Sequence, residues 1–288
     1  MRASWNKKSI TSGAPPLGVE VSPSDAHFLF HPIGRRVAAN ERETKRSLFG
    51  CDQIKPQTKE FMTQYNKLYT KEDSVIVFID HQPQMLFGVE GVDRAAFINR
   101  VTLIAKAAKE FGVPAILTAV ETEGFSGYVW PQLLDVFPGQ EVIERTSMNS
   151  WDSMEFRKAI EATGRKNIIM TGLWTEVCIT WPTIEMLGAG YNVYVVDDCC
   201  GATSSAAQEA ALSRMVQAGA IRVTAICAIL EWQRDWARKE HYNQLMGLMK
   251  QQGGAYGIGV EYAYTMIHHA PQAAIKPQVV HKSLAAAH

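Results

Sequence analysis

The stretch KNIIMTGLWTEVCITWPTIEMLGAGYNVYVVDD, residues 166–198, contains the pattern that decides the fold of this chain. It opens on an apolar run over 166–172, continues with helical spacing over 176–190, and closes on a second apolar run over 192–198. A buried strand, a helix and a second buried strand in this order are typical of a parallel βαβ unit. The stretch therefore predicts parallel strands covered by helices, with Cys178 close to the start of the connecting helix.

The same alternation extends through most of the chain. Six strands are predicted, over 74–80, 114–120, 141–144, 166–172, 192–198 and 220–226. Helices are predicted over 95–113, 152–164, 176–190 and 204–219, and a tryptophan-rich helix over about 231–251. Strands that alternate with helices in this way favour one α/β domain, a doubly wound, Rossmann-like six-stranded parallel β-sheet sandwiched by helices.

The two ends of the chain differ from this central part. Residues 1–70 show no sustained strand or helix period, and we expect an N-terminal extension that is mobile or serves as an oligomer arm. Residues 71–252 are expected to form the α/β domain. Residues 253–288 are expected to be an irregular C-terminal tail.

Composition excludes several classes of function. The formal net charge is zero, which gives no electrostatic reason to bind nucleic acid or an anionic membrane. No apolar run approaches the roughly 20 residues that a membrane helix needs. Five scattered cysteines and the lack of a secretory signal indicate reduced thiols and a cytoplasmic protein. Arg2, Lys7 and Lys8, without a nearby acid, leave an organellar matrix as the alternative.

Reactive side chains follow the carboxyl ends of four predicted strands. Asp80 ends the first strand, Glu121 follows the second, Arg145 follows the third and Cys178 follows the fourth. Ligands of such sheets bind beyond these strand ends, near the point where the strand order reverses. The sequence therefore predicts that these four residues meet at one edge of the sheet.

Cys178 is the candidate nucleophile. The positive end of a helix dipole and its unpaired N–H groups favour a thiolate at this position and can stabilise an oxyanion. The alternative is a buried cysteine that only packs at a strand–helix junction.

Asp80 and Arg145 are the candidate partners of this thiol. Asp80 could accept the thiol proton and pass it to a leaving amine, although a strand-end aspartate can also act only as a turn or helix cap. Arg145 could supply a fixed positive charge, or form a surface salt bridge to Glu144 or Asp152. His81 should point away from Asp80, and we expect it to be structural.

No metal and no cofactor are predicted. No histidine pair has the spacing of a metal site, and the adjacent Cys199 and Cys200 do not match a Cys-x-x-Cys motif. The glycine-rich segment 253–259 follows a helix rather than a strand, so it fails the context of a dinucleotide loop. Trp174 and Trp181 flank Cys178 and could wall an apolar pocket, or Trp181 could belong to the core.

Several motifs resemble the isochorismatase-like cysteine hydrolase family, over roughly residues 65–249. VIVFIDHQ (75–82) resembles the first strand of that family with its Asp-x-Gln, and TGLWTEVCITWP (171–182) resembles its cysteine motif. The segments RTSMNSWDSMEF, AAQEAALSRMVQAGA and LEWQRDW resemble the YcaC-like branch. The resemblance implies Asp80 as general base and acid, Cys178 as nucleophile, and Arg145 as the cation where the commonest members carry lysine.

The resemblance also implies further features of the site. A cis peptide at Leu173–Trp174 would aim the N–H groups of Trp174 and Cys178 at a carbonyl oxygen. Gln82, Glu121, Trp174 and Thr175 are expected near the substrate pocket. The segment TAVETEGFSG (118–127) lacks the histidine with which metal-dependent relatives hold a metal ion.

The activity implied is cleavage of a small amide-like C–N bond through a covalent thioester, in a symmetric homo-oligomer whose only ligand is a small-molecule substrate. Two alternatives stay open: a redox sensor or scavenger that reacts through Cys178, and a catalytically silent oligomeric scaffold with the same fold.

Overall fold

The computed structural model describes residues 68–267, which form one layered α/β unit. The expectations for an N-terminal extension before residue 68 and for the tail after residue 267 lie outside the described residues. The six strands are β1 (Ser74–Ile79), β2 (Ala115–Val120), β3 (Val142–Arg145), β4 (Asn167–Leu173), β5 (Asn192–Gly201) and β6 (Ile221–Val223).

All six strands pair in parallel in one sheet, in the order β3-β2-β1-β4-β5-β6. The chain first builds outward from β1 to β3 and then returns to place β4 on the other side of β1. The carboxyl ends of β1 and β4 therefore flank the point where strand order reverses. The predicted doubly wound six-stranded parallel sheet is confirmed.

Helices cover both faces of the sheet. In chain order they are α1 (Pro83–Phe87), α2 (Arg94–Glu110), α3 (Pro131–Leu134), α4 (Met154–Ala162), α5 (Thr180–Gly188), α6 (Ser205–Ala218), α7 (Ala225–Gln233), α8 (Tyr242–Gln252) and α9 (Ala255–Tyr262). Every residue of β1 and of β4 is buried, which explains why these strands read as continuous apolar runs. No helix within residues 68–267 is long and apolar enough to cross a membrane.

Gly172, near the end of β4, lets that strand approach β1 closely. Its φ is 152°, and a Cβ at this position would lie 2.3 Å from the carbonyl oxygen of Ile79. Only glycine fits here without moving the backbone that carries Asp80 and Cys178.

The structure corrects the expectation of an irregular tail. Residues 255–262 form α9, and a π-helical turn continues it over Ala263–Ile267. The predicted tryptophan-rich helix over about 231–251 is likewise two helices, α7 and α8. Arg234, whose φ is 63°, lies just past the end of α7 and breaks the helical path.

Two helix starts also differ from their predictions. The helix predicted over 152–164 begins only at Met154, and its N-cap is Ser153, whose hydroxyl accepts from the N–H of Phe156. The segment after β4 begins as a π-helical turn over Thr175–Ile179, and the α-helix follows only at Thr180. Cys178 therefore lies in this π-helical turn, before the α-helix begins.

Candidate active site

Asp80, Arg145 and Cys178 meet at the carboxyl edge of the sheet, as the sequence predicts. Asp80 directly follows β1, Arg145 is the last residue of β3, and Cys178 lies in the π turn after β4. They are 0%, 6% and 3% exposed, respectively. Because β2 lies between β1 and β3, the long arginine side chain is what allows Arg145 to reach across to Asp80.

The Arg145–Asp80 pair is a buried ion pair. Nη2 of Arg145 lies 2.7 Å from both carboxylate oxygens of Asp80. Nη1 donates to the carbonyl oxygen of Ser147, and the buried Nε has no partner within the described chain. The alternative of a surface salt bridge to Glu144 is wrong, because Glu144 instead accepts from the backbone N–H of Thr122 at 3.1 Å.

Asp80 has an unusual backbone and an unusual pKa. Its φ is 54°, a left-handed conformation that aspartate tolerates better than most residues, and its N–H donates to the carbonyl of Thr118 at 3.0 Å. Burial raises the pKa of Asp80 to about 6, although Arg145 opposes that rise through its charge and its hydrogen bonds. At pH 7 the carboxylate is therefore ionised but far more basic than an exposed aspartate.

The structure corrects the expectation that the helix start favours a thiolate at Cys178. Burial, the charge of Asp80 and the hydrogen bond to Asp80 together raise the pKa of Cys178 to about 12, against the lowering influence of Arg145 and of the Trp174 N–H. The helix-start effect is thus outweighed, and the resting side chain is a neutral thiol that donates to the Asp80 carboxylate.

Trp174 joins the thiol to the segment that follows β1. The Leu173–Trp174 peptide bond is cis, in agreement with the resemblance. The backbone N–H of Trp174 points at the Cys178 sulfur. The indole Nε1 donates to the carbonyl of Met85 at 2.7 Å, and the ring packs so closely on Gly88 that a Cβ there would lie 2.7 Å from it.

Gln82 and Thr175 do not have the free polar groups expected of pocket residues. The amide of Gln82 is buried and pairs with both the N–H and the carbonyl of Val120, and it also donates to the carbonyl of Gly127. The hydroxyl of Thr175 donates to Gln208 at 2.7 Å. Gln82 therefore holds backbone in place and Thr175 holds the Gln208 side chain, instead of offering N–H or O–H groups to a ligand.

Glu121 lies beside the Arg145–Asp80 ion pair and faces solvent. It directly follows β2, its φ is 49°, and its N–H donates to the carbonyl of Arg145 at 3.1 Å. Its side chain is exposed. A role for Glu121 at the pocket stays a prediction.

His81 is structural, as expected. Its Nε2 lies 3.2 Å from the Thr171 hydroxyl, which itself donates to the carbonyl of Val77. Its ring packs on Trp130 with centroids 4.9 Å apart. Burial lowers the pKa of His81 to about 3, so the ring is neutral.

Two residues with a part in the site were missed by the sequence reasoning. Gln208, on α6, accepts from Thr175 and donates to Asp197 and to the Cys200 carbonyl. These hydrogen bonds connect the π-helical turn that carries Cys178 to β5. Ser147 holds Arg145 through a backbone carbonyl, for which no side-chain pattern gives a signal. Trp181 lines a surface groove with Asn149 and Arg214 instead of a pocket at Cys178.

The other described cysteines are not part of this site. Cys199 and Cys200 lie inside β5 rather than after it, and Cys227 is an exposed residue of α7. All are free thiols. Among residues 68–267, no group of three or more His, Cys, Asp or Glu is placed to hold a metal ion.

The sequence profile of the isochorismatase domain matches residues 74–227, which include the whole site. The chain belongs to the isochorismatase family of hydrolases. It is 35% identical over 167 residues to the probable hydrolase YcaC of Escherichia coli (strain K12), an alignment that covers 58% of this chain and 80% of that protein.

Two solved structures of YcaC proteins are similar as well. YcaC from Pseudomonas aeruginosa, with hexane-2,5-diol and covalent acrylamide, gives a TM-score of 0.65 at 33% identity and covers 68% of this chain and 96% of its own. The Escherichia coli YcaC gene product, an octameric hydrolase of unknown specificity, gives a TM-score of 0.65 at 32% identity. This match covers 69% of this chain and 97% of that one. These similarities support the YcaC-like branch.

Proposed function

We propose that this protein is a cysteine-dependent hydrolase that cleaves the C–N bond of a small linear amide through a covalent thioester. One observation carries the proposal: a buried thiol, Cys178, donates to a carboxylate, Asp80, that an arginine holds in place. Acyl transfer requires a nucleophile that is hydrogen-bonded to a base, and a third group that orients this base.

The first step combines deprotonation and attack. Because the pKa of Cys178 is raised to about 12 and that of Asp80 is about 6, a free thiolate is unfavourable before substrate binds. The proton passes to Asp80 as Sγ forms its bond to the carbonyl carbon. The N–H groups of Trp174 and Cys178 donate hydrogen bonds to the developing oxyanion, and each such donor contributes about 10²–10³ in rate.

The second step releases the amine and then the acid. Asp80, now protonated, gives its proton to the leaving nitrogen as the C–N bond breaks and the thioester forms. Asp80 next removes a proton from water, which attacks the thioester and restores the Cys178 thiol. Arg145 stays charged throughout, so it orients and stabilises the Asp80 carboxylate without transferring a proton.

Acrylamide alkylates nucleophiles at its alkene carbon, so the covalent acrylamide in the Pseudomonas aeruginosa relative supports a reactive nucleophile rather than an amide substrate. A redox sensor or scavenger has less support. A buried thiol with a raised pKa is the opposite of the exposed, low-pKa cysteine on which oxidants act. A silent scaffold would have no need to keep a buried ion pair beside a thiol.

Ammonia release from a panel of small primary amides tests the proposal. We expect turnover by the wild-type protein and by the Cys227→Ala variant, whose cysteine is exposed on α7, and none by Cys178→Ala. A Cys178→Ala variant that turns over amides at the wild-type rate would show that another group is the nucleophile.

We further propose that the protein is a homo-oligomer, since the Escherichia coli relative is octameric. Light scattering of the full chain gives its mass in solution. A monomer at micromolar concentration would contradict this part of the proposal.

A further inference from the structure

The connections around the site are acidic and contain no lysine or arginine. In the described chain, the segments that lead away from the carboxyl ends of the strands are 80–93, 121–130, 146–153, 174–179, 202–204 and 224. They carry seven carboxylates: Asp80, which Arg145 neutralises, and Glu90, Asp93, Glu121, Glu123, Asp152 and Glu176. The edge of the sheet on which the site lies is therefore negatively charged.

The cations that border these segments are already occupied. Arg145 is neutralised by Asp80 at 2.7 Å, and its Nη1 donates to Ser147. Arg94, the first residue of α2, donates to the carbonyls of Leu86, Phe87 and Val89. A carboxylate on a substrate would lose bound water at this acidic edge. The connections offer no uncommitted guanidinium or ammonium group to replace that water.

The same connections present large apolar side chains to solvent. Phe87, Phe125, Tyr128 and Met148 follow β1, β2 and β3, and they are 70%, 66%, 62% and 57% exposed. The loop that carries Phe125 and Tyr128 is fixed, because the carbonyl of Gly127 accepts from the buried Gln82. Exposed apolar groups on a fixed loop beside a reactive site are suited to contact an apolar part of a ligand.

We propose that the Cys178 site selects neutral or cationic amides that carry an apolar substituent, and that it discriminates against substrates that carry a carboxylate. The inference rests on the proposed function and adds the chemical class of its substrate. The acidic connections repel an anion on approach, and the apolar side chains stabilise the uncharged substituent of a bound amide.

A pair of alkylating reagents that differ in charge tests the electrostatic part. Iodoacetamide is neutral and iodoacetate is anionic; in both reactions Sγ forms a bond to carbon, iodide leaves, and the thiol proton goes to Asp80 or water. The rate at Cys178 of the full chain is followed by peptide mass spectrometry and divided by the rate with N-acetylcysteine. We expect the corrected preference for iodoacetamide to be about tenfold at low salt and to shrink toward about twofold in 1 M salt.

The acidic connections should cause this preference. The double variant Glu121→Gln/Glu123→Gln keeps the shape of both side chains and should lower the corrected preference severalfold. A corrected ratio near one, or a ratio that does not change with salt, would overturn the inference.

The apolar part has its own probe. N-phenyl iodoacetamide should react with Cys178 about tenfold faster than iodoacetamide does, since a phenyl ring partly buried against apolar side chains stabilises the bound reagent. Phe125→Ser/Tyr128→Ser should remove that gain, whereas Val216→Ser, which changes an exposed apolar residue on α6, should not. If the double serine variant changes the oligomeric state and keeps the gain, these side chains serve subunit contacts and the apolar part is wrong.

Amide turnover separates the inference from the function on which it rests. Turnover of carboxylated and neutral amides at equal rates would overturn the inference alone. Charge selectivity in alkylation without turnover of any amide would overturn the proposed function.

Discussion

Cys178, in the π-helical turn after β4, and Cys200, in the neighbouring strand β5, are two buried cysteines with different surroundings. They are 3% and 1% exposed, and burial raises the pKa of both thiols. Cys178 donates to a carboxylate that an arginine holds, and the Trp174 N–H faces its sulfur. A backbone N–H, from Gly172, also faces the Cys200 sulfur, but this thiol donates to the carbonyl of Met170 at 3.8 Å and the charges that act on it come from aspartates. Burial alone therefore makes a thiol inert, and a basic neighbour gives it a route to react.

The largest expected difference is in turnover. Cys178→Ala should lower kcat for amide hydrolysis by at least about 10³–10⁴, because it removes the only bond-forming atom of the proposed mechanism. Cys200→Ala should keep kcat within about twofold, since its thiol contacts no group of the site. Steady-state ammonia release with both variants measures this, and equal losses in the two would break the comparison.

The substitution Asp80→Asn should have the next largest effect on kcat. The amide keeps the shape of the carboxylate but cannot accept the thiol proton, so we expect kcat to fall about 10²–10⁴-fold. Circular dichroism should show a folded protein, which separates the loss of the base from a loss of structure. An Asp80→Asn variant with more than a tenth of the wild-type activity would mean that another group takes the proton.

The pH dependence of kcat/KM should report Asp80. Because burial raises its pKa to about 6, the carboxylate is protonated and the rate is lost as pH falls through about 6. Arg145 lowers this pKa, so Arg145→Met should move the acid limb to higher pH, whereas Arg145→Lys should keep it near the wild-type position. An acid limb that stays at pH 6 in Arg145→Met would mean that a different group titrates.

How much of this could be read from the sequence differs between the fold and the site. The apolar strand runs and the helical spacing between them were sufficient for the six parallel strands, because burial on both faces leaves a clear pattern. The convergence of Asp80 and Cys178 followed from the ends of β1 and β4. The sequence pattern could not predict that the Cys178 thiol is neutral, because its protonation depends on how completely helices bury the thiol and on the charge of Asp80.

Other features depend on contacts that spacing does not encode. Gln82 was expected near the pocket from the family resemblance, yet its amide pairs with the backbone of Val120. The break between α7 and α8 occurs at Arg234, where a left-handed conformation replaces the usual glycine signal. The helical segment after residue 254 was missed because its glycines suggested a loop.

Gly88→Ala should have a moderate effect on catalysis through Trp174. A methyl group at Gly88 would lie 2.7 Å from the indole ring, so the ring and its hydrogen bond to Met85 must move. We expect kcat/KM to fall about 10-fold to 100-fold, because small displacements of a positioning group are costly in a preorganised site. Gly247→Ala, at a position on α8 with open space, is the matched control and should be close to wild type. An active Gly88→Ala variant with unchanged kinetics would show that the position of Trp174 does not matter.

The smallest expected effect on activity is that of Cys200→Ala, and its effect on stability completes the comparison. Deleting a buried sulfur leaves a cavity, so we expect the free energy of unfolding to fall by about 1–3 kcal/mol while kcat stays near wild type. Cys178→Ala also removes a buried sulfur, and it leaves the buried Asp80 carboxylate without the thiol that donates to it. Its loss of stability should therefore be larger than that of Cys200→Ala, the same order as in activity. Urea unfolding of the two variants measures both values, and a smaller loss for Cys178→Ala would mean that the thiol contributes little to holding the ion pair.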